Sequence, residues 1–100
     1  MNPQKAAVLQ RLLQLVAELY DECGQLSTED EDLQSWYNRG YADGMVKALN
    51  QLGFGRELAD LIPAEPLSLS DAECFLPWGK AHTHGLEMGE KETLEVLGNA

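Results

Sequence analysis

The stretch GYADGMVKALNQLG, residues 40–53, lines up without gaps on GLEMGEKETLEVLG, residues 85–98. At a constant offset of 45, Gly40 matches Gly85, Gly44 matches Gly89, Leu49 matches Leu94, Leu52 matches Leu97 and Gly53 matches Gly98. Both stretches space apolar residues as a helix does and end on a glycine, which stops helices well. Each interior glycine costs a helix about 1 kcal/mol relative to alanine, so something must compensate. Glycines four apart clear one strip of the helix surface, which lets the two equivalent helices, or a helix and an aromatic ring, approach closely. Trp36, Gly40, Gly44, Gly85 and Gly89 are therefore assigned to helix packing. The alternative is that Gly40 and Gly85 mark kinks between shorter helices.

Further upstream, and with a few residues inserted in the second copy, Leu26-Ser27 with Asp30 and Trp36 resembles Leu67-Ser68 with Asp71 and Trp78. The expectation is one domain, residues 1–100, with an internally duplicated helix-turn-helix unit: repeat 1 about residues 3–53, repeat 2 about 54–98.

Working outward, Leu9, Leu12, Leu13, Val16, Leu19, Tyr20 and Cys23 recur at spacings of three and four, which predicts an amphipathic helix from Pro3 to about Cys23. Ser27 or Thr28, followed by acids, predicts a second helix beginning near residue 28 and stopping at Gly53. Its apolar face runs from Leu33 through Trp36, Tyr37, Tyr41 and Met45 to Leu52. A short piece from Arg56 to Ile62 stops at Pro63, and Ala64-Glu65-Pro66 reads as a linker. Ser68 to Glu73 carries another capping signature, leading to a turn of helix that Pro77 interrupts, then a last helix from about Trp78 to Leu97. The fold class is all-α: a small bundle of four to five helices.

Seventeen acidic against seven basic residues leave a net charge of −10. The bases are scattered, so direct nucleic-acid binding is disfavoured and a basic protein surface is the better electrostatic match. Solubility alone is the other explanation of the charge. Gln10, Arg11, Gln14 and Glu18 break up the N-terminal apolar segment, so neither a membrane span nor a signal-peptide core is expected, and the expected location is the cytoplasm. Cys23 and Cys74 are then expected to be reduced and packed as small apolar groups, Cys74 on a core face beside Phe75 and Leu76.

His82 and His84, two apart on a helix, point in different directions and cannot share a metal; partly exposed histidines near a helix start are expected, with no metal site and no cofactor. Neither cysteine has the neighbours of a nucleophile, and the Gly-Phe-Gly at 53–55 lacks a phosphate loop's lysine. No catalytic residue is assigned and the chain is not expected to be an enzyme. The acidic features are Glu29-Asp30-Glu31-Asp32, extended upstream by Asp21 and Glu22, and a helix face with Glu87, Glu90, Glu92 and Glu95. The first exceeds what a helix cap requires, which makes Asp21, Glu22, Glu29, Asp30, Glu31 and Asp32 the candidate partner-binding residues.

Together with the sequence Trp36-Tyr37-Asn38-Arg39-Gly40-Tyr41, the small size and the lack of an active site, this run resembles the small acidic phage-encoded anti-CRISPR proteins, in particular inhibitors of the type I-F surveillance complex. That family shares no single motif. The resemblance implies a stoichiometric inhibitor in the host bacterial cytoplasm, a monomer or homodimer, that binds a basic nucleic-acid-binding surface of the complex and excludes target DNA. The alternative is a small acidic adaptor or homodimerisation module using the Gly-aromatic helix for self-association; a secretion-chaperone-like binder is a third reading.

Overall fold

A computed structural model describes residues 3–23, 32–61 and 70–98, in five helices: α1 Pro3–Cys23, α2 Leu33–Gln51, α3 Gly55–Leu61, α4 Asp71–Cys74 and α5 Pro77–Gly98. No strand occurs among the described residues. The all-α bundle is thus the observed fold.

α2 begins at Leu33, five residues later than the expected start near 28, because Asp32 is its cap. Asp32 has extended backbone, and its carboxylate accepts hydrogen bonds from the Gln34 N–H at 3.1 Å and the Ser35 hydroxyl at 2.8 Å. Ser27 and Thr28 lie outside the described residues. Leu33, expected on the apolar face, is 46% exposed: at the first helical position its side chain leans N-terminally, off the end of the packed surface. At the other end Gly53 takes φ +92°, its N–H reaching the Asn50 carbonyl at 3.1 Å while the Phe54 N–H reaches that of Leu49 at 2.9 Å. These two bonds form a Schellman cap, which relieves the orphan carbonyls of α2.

α2 and α5 are unbroken through Gly40 and Gly85 and run parallel, backbone against backbone. A Cβ placed on Gly40 would lie 2.0 Å from the His82 carbonyl oxygen, and one on Gly44 would lie 2.1 Å from that of Leu86. In return, a Cβ on Gly85 or Gly89 would lie 2.1 Å from the carbonyl of Tyr37 or Tyr41. Adding 45 to Gly40 and subtracting 45 from His82 gives Gly85 and Tyr37, so the contacts are reciprocal about an approximate two-fold axis between the helices. Trp36 packs on Trp78 at 4.5 Å between ring centroids. These tryptophans are offset by 42, like Gly40 and His82. They extend one row of contacts as partners and are not mates under the two-fold.

α1 covers one side of this pair and runs antiparallel to it. Tyr20, near its C-terminus, reaches Arg39 and Asp43, while Leu9, Leu13 and Val16 are buried with Val46, Leu49, Leu58 and Leu97. The side related by the two-fold is different. Where α2 offers Ala42 and Val46, both buried, α5 has the exposed Glu87 and Lys91. α3 contributes Leu58 to the core.

The one-turn α4 is held by a capping box: Ser70 Oγ accepts from the Glu73 N–H at 3.2 Å, and the Glu73 carboxylate accepts from the Ser70 N–H at 3.1 Å. Pro77 opens α5, a position where its missing N–H costs nothing. The expected core face around Cys74 is not there. Phe75 is 76% exposed and Leu76 44%, because α4 ends at Cys74 and the chain turns outward before α5 begins.

Candidate functional site

Two regions hold the residues with chemical capacity. The first is interior. Asp43 of α2, fully buried, is met by side chains from three helices. The Arg39 Nε, one turn earlier, donates to both carboxylate oxygens at 3.2 and 3.3 Å. The Tyr20 hydroxyl of α1 donates to Oδ1. His82 Nε2 of α5 lies 2.8 Å from Oδ2; a carboxylate only accepts, so Nε2 carries the proton. The Arg39 guanidinium also lies over the Tyr20 ring, 4.7 Å from its centroid. Burial, then the hydrogen bond to Asp43, pushes the Tyr20 hydroxyl well above the ordinary tyrosine range.

Tyrosine, arginine, aspartate and histidine are catalytic residue types, but this group is closed to substrate: His82 is 2% exposed and Asp43 0%. Every buried side-chain nitrogen and oxygen among the described residues has a hydrogen-bond partner. The arrangement ties α1 to the α2–α5 pair. It also corrects the expectation of two partly exposed histidines: His82 is interior, whereas His84 is exposed and meets the Tyr37 ring edge-on at 5.5 Å. No group of three or more His, Cys, Asp or Glu among the described residues could hold a metal ion.

The second region is the end of the bundle where α1 finishes and α2, α4 and α5 begin. Because α1 is antiparallel to the parallel pair, Glu18, Asp21 and Glu22 come to the same end as Asp32 on α2 and Asp71 and Glu73 on α4. All but the half-buried Glu73 are exposed. Within 18–23, 32–40 and 70–82 the bases are the buried Arg39 and the exposed Lys80. Lys5, Arg11, Lys47, Arg56 and Lys91 lie elsewhere. The Ser35 hydroxyl, joined by backbone amides, holds the Asp32 carboxyl below the usual aspartate range, so it stays ionised into acid. Asp21 and Glu22 sit in the last turn of α1, where the helix dipole disfavours negative charge and no base is present.

The structure therefore brings Asp21, Glu22 and Asp32 to one end, joined by Asp71 and Glu73 of the α4 capping segment. Glu29, Asp30 and Glu31 lie outside the described residues. The second acidic face is less available than its composition implies. Glu90 pairs with Lys47 at 3.3 Å, and Glu92 accepts from the Tyr41 hydroxyl, whose ionisation is pushed up by burial and by that bond. Glu87 and Glu95 remain exposed.

No helix among the described residues is long and apolar enough to cross a membrane. No protein-family model, no curated protein and no solved structure matches the chain.

Proposed function

We propose that this chain is a non-catalytic protein that binds a basic, nucleic-acid-binding surface of another protein and blocks that surface by charge and bulk. The resemblance drawn from its sequence makes the type I-F CRISPR surveillance complex the partner to test. One observation carries the reading: antiparallel packing of α1 gathers carboxylates from three helices at one end, with Lys80 the lone exposed base in those segments. Such a surface attracts Lys and Arg and repels phosphate. The sealing of the Tyr20–Arg39–Asp43–His82 group supports a binder over an enzyme.

The homodimerisation alternative needs the Gly-aromatic face of α2 to be free. α5 of the same chain occupies it.

The deciding experiment is co-elution of the purified protein with a type I-F complex, followed by binding of target duplex DNA. Expected are a stoichiometric complex and loss of DNA binding. A complex that elutes alone and binds DNA normally would remove the CRISPR reading.

A further inference from the structure

We infer that Phe75 and Leu76 form an apolar anchor inside the acidic end, which seats an apolar side chain of a basic amphipathic protein segment. The inference rests on the basic-partner part of the proposed function and not on the identity of the complex.

Phe75 is the most exposed large hydrophobic residue among those described, at 76%, with Leu76 at 44% and Leu33 at 46% at the same end of the bundle. The ring stands on a rigid corner. The capping box fixes α4, and the Phe75 and Leu76 amides bond back to Ala72 and Glu73 at 3.2 and 3.1 Å. A Cβ on Gly79 would lie 1.8 Å from the Glu73 carbonyl oxygen, so the corner is set backbone to backbone on the first turns of α5. An aromatic ring held this way loses little freedom on being covered, which is what favours aromatic anchors at the centres of interfaces.

The rim selects the occupant. Asp71 and Glu73 stand within five residues of Phe75 and Leu76, Asp32 lies at the same end of the bundle, and Lys80 is the exposed base among described residues 70–82, so the apolar centre has negative charge beside it. A second copy would bring like charge to like, since each chain carries −10. Anionic lipid headgroups are repelled for the same reason. A segment that alternates Lys or Arg with Leu or aromatic residues satisfies both centre and rim.

The test uses the full chain, isotope-labelled for amide resonances, with two synthetic peptides of equal length and charge, one of Lys and Leu, the other of Lys and Gln. The Lys/Leu peptide should bind about tenfold more tightly, with resonance changes centred on residues 72–78. Phe75→Ala should abolish that advantage and leave the circular dichroism and melting temperature unchanged. Equal affinity for the two peptides, changes centred away from the corner, or undiminished binding by Phe75→Ala would overturn the inference, as would association with phosphatidylglycerol vesicles. Loss of the peptide preference with the surveillance complex still bound would sink the anchor alone; the reverse pattern would sink the complex alone.

Discussion

His82 on α5 donates its Nε2 proton to Asp43 on α2 across 2.8 Å, in a site that excludes solvent from both side chains. The carboxylate is shared with Arg39 and Tyr20, so one residue joins three helices. Removing one partner of a buried pair strands the others, typically at about 3–5 kcal/mol, a large fraction of the 5–15 kcal/mol that holds a domain folded. Asp43→Ala should therefore lower the unfolding free energy obtained from urea titration by an amount in that range, or unfold the chain outright. A loss below about 1 kcal/mol would mean that the group does not tie the helices together.

The glycine contacts set up an opposed pair of substitutions. Alanine is the better helix former by about 1 kcal/mol, yet Gly44→Ala places a methyl group 2.1 Å from the Leu86 carbonyl oxygen and must force α2 and α5 apart. A loss of about 3 kcal/mol or more is expected, visible as a fall in melting temperature. At Gly53 nothing lies within 4 Å, and the cost of Gly53→Ala is limited to its φ of +92°, about 1–2 kcal/mol.

Stability should fall in alkali. The Tyr20 hydroxyl ionises at higher pH in the folded chain than in the unfolded one. Its stabilising contribution is whole below the unfolded value near 10 and declines as pH rises past it, because the unfolded state then binds fewer protons. The slope is at most about 1.4 kcal/mol per pH unit for one group. Tyr20→Phe should be less stable at neutral pH and show a shallower alkaline decline; an unchanged slope would assign the decline elsewhere.

Charge reversal at the end of α1 should separate binding from folding. Asp21→Lys with Glu22→Lys places bases where the helix dipole favours them, a gain of about 0.3–1 kcal/mol each, while binding to a basic partner should fall at least tenfold. At Asp32 the two roles overlap. Asp32→Asn keeps the cap and removes the charge, whereas Asp32→Ala should lower the melting temperature in addition. Binding unaffected by these changes would move the interface off this end.

The helical stripes, the stop at Gly53 and the glycine strip were legible because each depends on spacing within one segment. The parallel direction of α2 and α5 was not, since a strip of glycines is the same read from either end. The start of α2 is not legible either, because several capping residue types precede Leu33 and only the backbone distinguishes Asp32 among them. The Asp43 group was hidden by distance along the chain: His82 lies 39 residues away and Tyr20 lies 23. A signal was present, however. Arg39 and Asp43 are one turn apart on a face otherwise made of Gly40, Ala42, Val46 and Leu49, and charges on such a face must pair inside. The outward corner at Phe75 escaped for the opposite reason, because apolar residues beside a short helix read as core.

A pair of helices related by a two-fold offers a third helix two equal berths, one on each side. Ala42 and Val46 make one of them dry, and Glu87 and Lys91 keep the other wet. These two pairs, with the Arg39–Asp43 pair that Tyr20 joins and whose two-fold mates are His84 and Met88, set which way round the bundle closes. Making Glu87 and Lys91 apolar would dry the second berth as well and leave the buried Tyr20–Arg39–Asp43 contact to hold α1 on its own flank.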